Sequence, residues 1–265
     1  MLQKLGEIII EKSNATRQLE DFGIKIYILA ILSIISIFIG GIIHFVMFII
    51  LLVSLGDIKK ANLELKNEHL EKFRKYIIYA VIVGIIGALI ITVITVFVAI
   101  LFISAIPGFT FSSPITIPEF LQMVPLINTL MLVLLGGFPI EAVALGLLII
   151  AWKNLQMFLE TNFGSFPNTV APKAIDGSKN IKRSYLYLLI ALILGEVLVL
   201  IAIFGFPQIQ TLIMDFILAI PPSMGLWVGF IVAIGILGFI IGILGIISYI
   251  LMIIGYFELS KLKRL

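Results

Sequence analysis

The sequence predicts an all-α protein, a polytopic bundle of membrane-spanning helices, and three observations point there. Hydrophobic residues make up 61% of the chain and charged residues 12%, with a mean hydropathy of +1.23; a soluble domain carries about 25% charged residues. The apolar residues come in runs long enough to cross a hydrocarbon core of about 30 Å. All eighteen Lys and Arg fall in four stretches: Lys4 to Lys25, Lys59 to Lys75, Lys153 to Arg183, and Lys261 to Arg264. Basic side chains in short loops concentrate on the cytoplasmic side, so these stretches predict four returns to one face. Six spans follow, arranged as three helical hairpins in a cell membrane with both termini cytoplasmic.

Residues 1–22 mix Leu2, Leu5, Ile8, Ile9 and Leu19 with Lys4, Glu7, Glu11, Lys12 and Arg17, which predicts an amphipathic segment along the inner headgroup layer. No small-residue cleavage site follows the first apolar run, so that run is expected to remain as a span. Ile26 to Gly56 covers 31 residues, about 46 Å as a helix, which is awkward for one crossing. Gly40-Gly41 near its midpoint permits a reversal, and the run is read as spans 22–39 and 42–58. Asp57 to Tyr76 has neither Gly nor Pro and pairs Glu68 with Lys72 and Glu71 with Lys75 at helical spacing, predicting a helical cytoplasmic connector. The third span, 77–103, carries Gly84, Gly87 and Ala88.

Ala105 to Gly137 has no basic residue and carries Pro107, Pro114, Pro118 and Pro125, with a turn signal at Ser112 to Pro114, so it is expected outside. Within it, Glu119 to Leu135 is expected to lie in the outer interface without crossing. Pro139 opens the fourth span, 139–159. Thr161 to Asn180 reads as a linker, and the fifth span follows as 185–204. A second outer segment, Gln208 to Ala219, sits between Pro207 and Pro221-Pro222. The sixth span, 226–257, is predicted as one long bent helix; a hairpin there with a deeper outer segment would make eight crossings. The membrane domain is thus 23–260, and 261–265 is a basic cytoplasmic tail.

Two segments repeat. Arg74 through Gly87 aligns without gaps on Lys182 through Gly195, and Gly41 through Ile50 is similar to Gly245 through Ile254. In transporters, binding sites form at interfaces between such repeats. The Gly-Ile-Ile-rich spans, the Gly40-Gly41 reversal, the Arg-Lys-Tyr-Ile-Ile-Tyr run at 74–79 and the closing Ile-Gly-Tyr-Phe-Glu-Leu-Ser-Lys-Leu at 254–262 together resemble the archaeal multi-pass membrane proteins grouped as families of unknown function. That resemblance implies a span pattern; it carries over no activity and no site residues.

Ionisable groups within spans are the candidates for function, because each costs about 2.5 to 3.5 kcal/mol to insert. His44, Glu141 and Glu196 qualify, lying about 18 to 23 Å of helix rise from their nearest inner basic anchors. Facing one cavity, they would outline a cation or proton site. The structural alternative is plain for Glu141, which in a first helical turn complements the helix dipole, and for His44, which starts a span beside a turn. Glu196 has apolar neighbours on both sides, and Asp215 is expected to face water. Gly225 with Gly229 and Gly238 with Gly242 have the spacing that lets helices approach closely, predicting packing within the bundle first and homodimerisation second. Trp152, Trp227 and several tyrosines sit near span ends as interfacial anchors.

Without Cys, disulfides and thiolate chemistry are excluded; phosphate-loop, His-Glu-x-x-His and Gly-x-Ser-x-Gly patterns are absent too, so no enzyme and no cofactor is expected. Partners are expected to be the bilayer, anionic lipids at the basic loops, and a second copy or membrane partner, not nucleic acid. Two functions compete: a small permease or channel-like carrier, and a non-catalytic scaffold or accessory subunit. Because the chain has no native Cys, Lys66→Cys and Lys179→Cys should each react with a membrane-impermeant maleimide from the same side; labelling from opposite sides would overturn the topology.

Overall fold

A computed structural model describes the backbone of residues 13–105, 117–217 and 224–265. The expected turns at Ser112 to Pro114 and Pro221-Pro222, and residues 1–12 of the amphipathic segment, lie outside these. Six helices run in chain order: α1 (Asn14–Ile39), α2 (Gly41–Leu65), α3 (Glu68–Ala105), α4 (Ile117–Thr161), α5 (Ala171–Ile217) and α6 (Met224–Leu259). Two short 3₁₀ turns, Phe163–Ser165 and Ser260–Arg264, complete the described residues, which contain no strand. Each helix holds a stretch long and apolar enough to cross a membrane. Large apolar side chains such as Phe38, Phe204 and Phe239 project outward, a surface suited to lipid and not to water. The chain is an all-α, six-span membrane protein, and its last apolar run is a single helix.

Short-range chemistry sets the turns. Gly40 takes φ 72° and ψ −139° between α1 and α2, a conformation a side chain would resist. Ser13 caps α1 by accepting from the Thr16 N–H at 3.2 Å, and the Ala15 N–H donates to Glu64 Oε2 at 2.8 Å, so the end of α2 satisfies the start of α1. The expected unbroken connector over Asp57 to Tyr76 is corrected: α2 stops at Leu65, Lys66 turns left-handed at φ 47°, and Asn67 Oδ1 accepts the His69 N–H at 2.9 Å to start α3. An Asn cap here replaces the Gly or Pro normally sought at a turn.

Helices extend further than the sequence suggested. At 45 residues, about 68 Å, α4 joins the outer segment Glu119 to Leu135 to the fourth span, passing through Pro125 and Pro139. Likewise α5, at 47 residues, runs through Pro207 into the second outer segment. A proline removes one backbone hydrogen bond, and both helices continue through it on the remaining bonds of the ladder. The expected linker shortens because α5 already begins at Ala171, with Pro172 in the first turn where its missing N–H costs nothing. The expected boundary at residue 22 falls inside α1, and residues 261–265 are no free tail: Leu262 is fully buried and Lys263 lies 3.3 Å over the Tyr27 ring.

Two compact units emerge. Unit 1 comprises Met1–Tyr79, Gly146–Leu186 and Ile247–Leu265; unit 2 comprises Ala80–Leu145 and Tyr187–Ile246. Unit 1 is organised on a column of edge-to-face rings, with Phe22–Phe73 centroids at 6.3 Å, Phe73–Trp152 at 5.3 Å and Trp152–Tyr256 at 6.4 Å. Trp152, expected as an interfacial anchor, is instead fully buried in that core. Alongside it α5 and α6 touch backbone to backbone: a Cβ on Gly255 would lie 2.8 Å from Gly177 O and 2.9 Å from Ile181 N. In unit 2, α3 and α4 interlock through reciprocal glycines, Gly87 against Ile140 and Gly137 against Ile91. Gly255→Ala should therefore cost about 1 to 3 kcal/mol in detergent unfolding, because backbone cannot yield as a side chain can, whereas Gly238→Ala, with open space at its Cβ, should not destabilise.

Candidate functional site

Small residues leave room in unit 2. Gly84, Gly87 and Ala88 of α3 face Phe138, Glu141 and Ala144 of α4 across a cavity of about 530 Å³. Leu188, Ala191 and Gly195 of α5 and Ile241 of α6 complete the wall. The volume falls within the range of about 300 to 1,000 Å³ typical of small-molecule sites. The void opens beside the interlock of α3 and α4: a Cβ on Gly87 would meet Ile140 Cγ2 at 2.6 Å, while one on Gly84 meets nothing within 4 Å. Among the described lining residues Glu141 supplies the only charged or polar side chain, one helical turn from Phe138 on the same helix.

The three ionisable candidates have different surroundings. Glu141, an exposed residue, lines the cavity. Glu196, half-buried on α5, follows the lining residue Gly195 but is not itself part of the wall. His44 belongs to unit 1, exposed on α2, with Nδ1 3.3 Å from Gly40 O at the start of its own helix. Within unit 2, Glu141 and not Glu196 belongs to the cavity wall. The predicted packing glycines are also corrected: a Cβ built on Gly229, Gly238 or Gly242 meets nothing within 4 Å, and the side of Gly225 lies outside the described residues. Close approach falls to Gly23, Gly87, Gly137, Gly177 and Gly255. Spacing marks a smooth strip on a helix but not the neighbour that uses it.

Sequence reasoning passed over a polar framework in unit 1. Lys25 Nζ on α1 donates to Asp57 Oδ2 on α2 at 2.5 Å, with the Asp57 side chain 9% exposed. Tyr249 donates to the Ser33 carbonyl and pairs with Ser36 Oγ at 2.8 Å. Ser248 donates to the Ser184 carbonyl at 2.9 Å, and Asn180 Nδ2 donates to Glu258 Oε2 at 2.7 Å. These partners stand on different helices, tens to hundreds of residues apart, so no local pattern reveals them. Among the described residues, no group of three or more His, Asp or Glu could hold a metal ion.

No protein-family model, curated protein or solved structure matches the chain. Fold and surface define its class as a multi-pass α-helical membrane protein in contact with the lipid bilayer. Lys25→Met, which leaves Asp57 buried without its cation, should lower stability by about 2 kcal/mol or more, and adding Asp57→Leu should recover most of that loss; thermal unfolding of the two variants measures both.

Proposed function

We propose that this protein is a small permease or channel-like carrier whose cation or proton site is Glu141. The observation that supports this best is the cavity itself, with walls from four spans and a carboxylate as the only polar side chain among its described lining residues. The internal repeat supports it too: aligned positions Gly84 and Leu192, and Gly87 and Gly195, all line the cavity, so α3 and α5 offer it corresponding faces. Glu196, beside the wall, is the second carboxylate to consider. The reading is non-enzymatic. It goes with a cell-membrane protein whose termini are cytoplasmic, whose basic loops meet anionic lipid headgroups, and whose kin are the archaeal multi-pass proteins it resembles.

A scaffold role has one observation in its favour. Gly229, Gly238 and Gly242 leave open backbone along α6, where a helix from a second copy or a partner subunit could pack closely. Proteoliposome flux separates the two readings. For the carrier, Glu141→Gln should cut proton or cation flux by about tenfold or more, the value of one lost charged contact, with Glu196→Gln changing it less. Flux equal in wild type, Glu141→Gln and protein-free vesicles leaves the scaffold.

A further inference from the structure

We infer that the unit 2 cavity takes an amphipathic organic monocation, a largely apolar molecule bearing one positive charge. This rests on the cavity that supports the carrier reading and names the substrate class for it.

The lining is selective by chemistry. Apart from Glu141 its described lining residues present only Gly, Ala, Leu, Ile and Phe side chains, so a guest needs a carbon surface to fill the space. An inorganic cation is disfavoured, because such ions demand several oxygen ligands and the walls offer one carboxylate. An anion fares worse. Unit 2 contains no Lys, Arg or His, so nothing in it could neutralise a second negative charge beside Glu141. A neutral acyl chain would fill the volume but leave the carboxylate facing hydrocarbon without a counter-charge.

An organic cation meets all of these conditions at once. Its charge pairs with the carboxylate, its skeleton covers the apolar wall, and Phe138, one turn before Glu141, can turn its ring face toward the positive centre. Gly84, Gly87 and Ala88 opposite provide a smooth floor for a bulky body.

Equilibrium binding of tetraphenylphosphonium to the full chain in nanodiscs tests the inference, with tetraphenylborate, the same shape with the opposite charge, as control. Saturable binding of the cation is expected, and no saturable binding of tetraphenylborate when it is titrated separately. Glu141→Gln should weaken binding by about tenfold or more, and Gly84→Leu, which grows into open space and occupies the cavity, should abolish it at unchanged thermal stability. Equal binding of the two probes, or retention in both variants, would overturn the inference. The carrier reading is judged separately: Glu141-dependent proton flux without phosphonium binding sinks the inference and spares the carrier, whereas phosphonium binding without any flux spares the inference and sinks the carrier.

Discussion

The reluctance of cationic side chains to enter hydrocarbon organises this molecule. All eighteen Lys and Arg belong to unit 1, and unit 2 has none. The two units therefore differ in polar pairing. Unit 1 uses polar pairing alongside its rings: Lys25 with Asp57, Asn180 with Glu258, and Lys182 Nζ donating to Gln156 Oε1 at 2.8 Å. Unit 2 has no cation to offer its acids, and Gly87 and Gly137 bring its helix surfaces together as Gly23, Gly177 and Gly255 do in unit 1. The same poverty of polar groups gives Glu141 its prominence.

Much of the architecture was legible because lipid imposes simple rules. Length and charge placement gave the six spans, and Gly40-Gly41 gave the first hairpin, since a largely apolar run of 31 residues flanked by bases has few other solutions. The turn at Lys66 was illegible because Asn67 makes it by capping α3, with no Gly or Pro to announce it. The outer segments were misread as separate because proline predicts a break in water, where loosened backbone finds other partners, and not within a long apolar helix. Trp152 was misplaced because its position near a span end is equally that of an anchor and of a core residue; only the approach of Phe73 and Tyr256 decides.

The candidate site shows the same division. Glu196 stood out as the acid embedded among apolar residues, with Glu141 and His44 as its companions; that Glu141 and not Glu196 lines the cavity depends on which helix faces meet, which rise along a helix cannot supply. Likewise, the repeat between α3 and α5 was visible, while its consequence, aligned positions such as Gly87 and Gly195 on a common wall, needed the packing. Glycine acts in two ways here: Gly87 admits its neighbour Ile140 while Gly84 leaves space, and the difference is one turn of α3.

The 3₁₀ turn at Ser260–Arg264 lies against α1 so closely that Gly23 has no room for a methyl group beside Leu262 and Lys263. During biosynthesis α1 emerges from the ribosome more than two hundred residues ahead of that turn. The first hairpin must then wait in the bilayer with Gly23 and Tyr27 uncovered while the other four helices are inserted. Closure of unit 1 therefore joins the earliest and latest described segments and cannot be complete until the last of them has been synthesised.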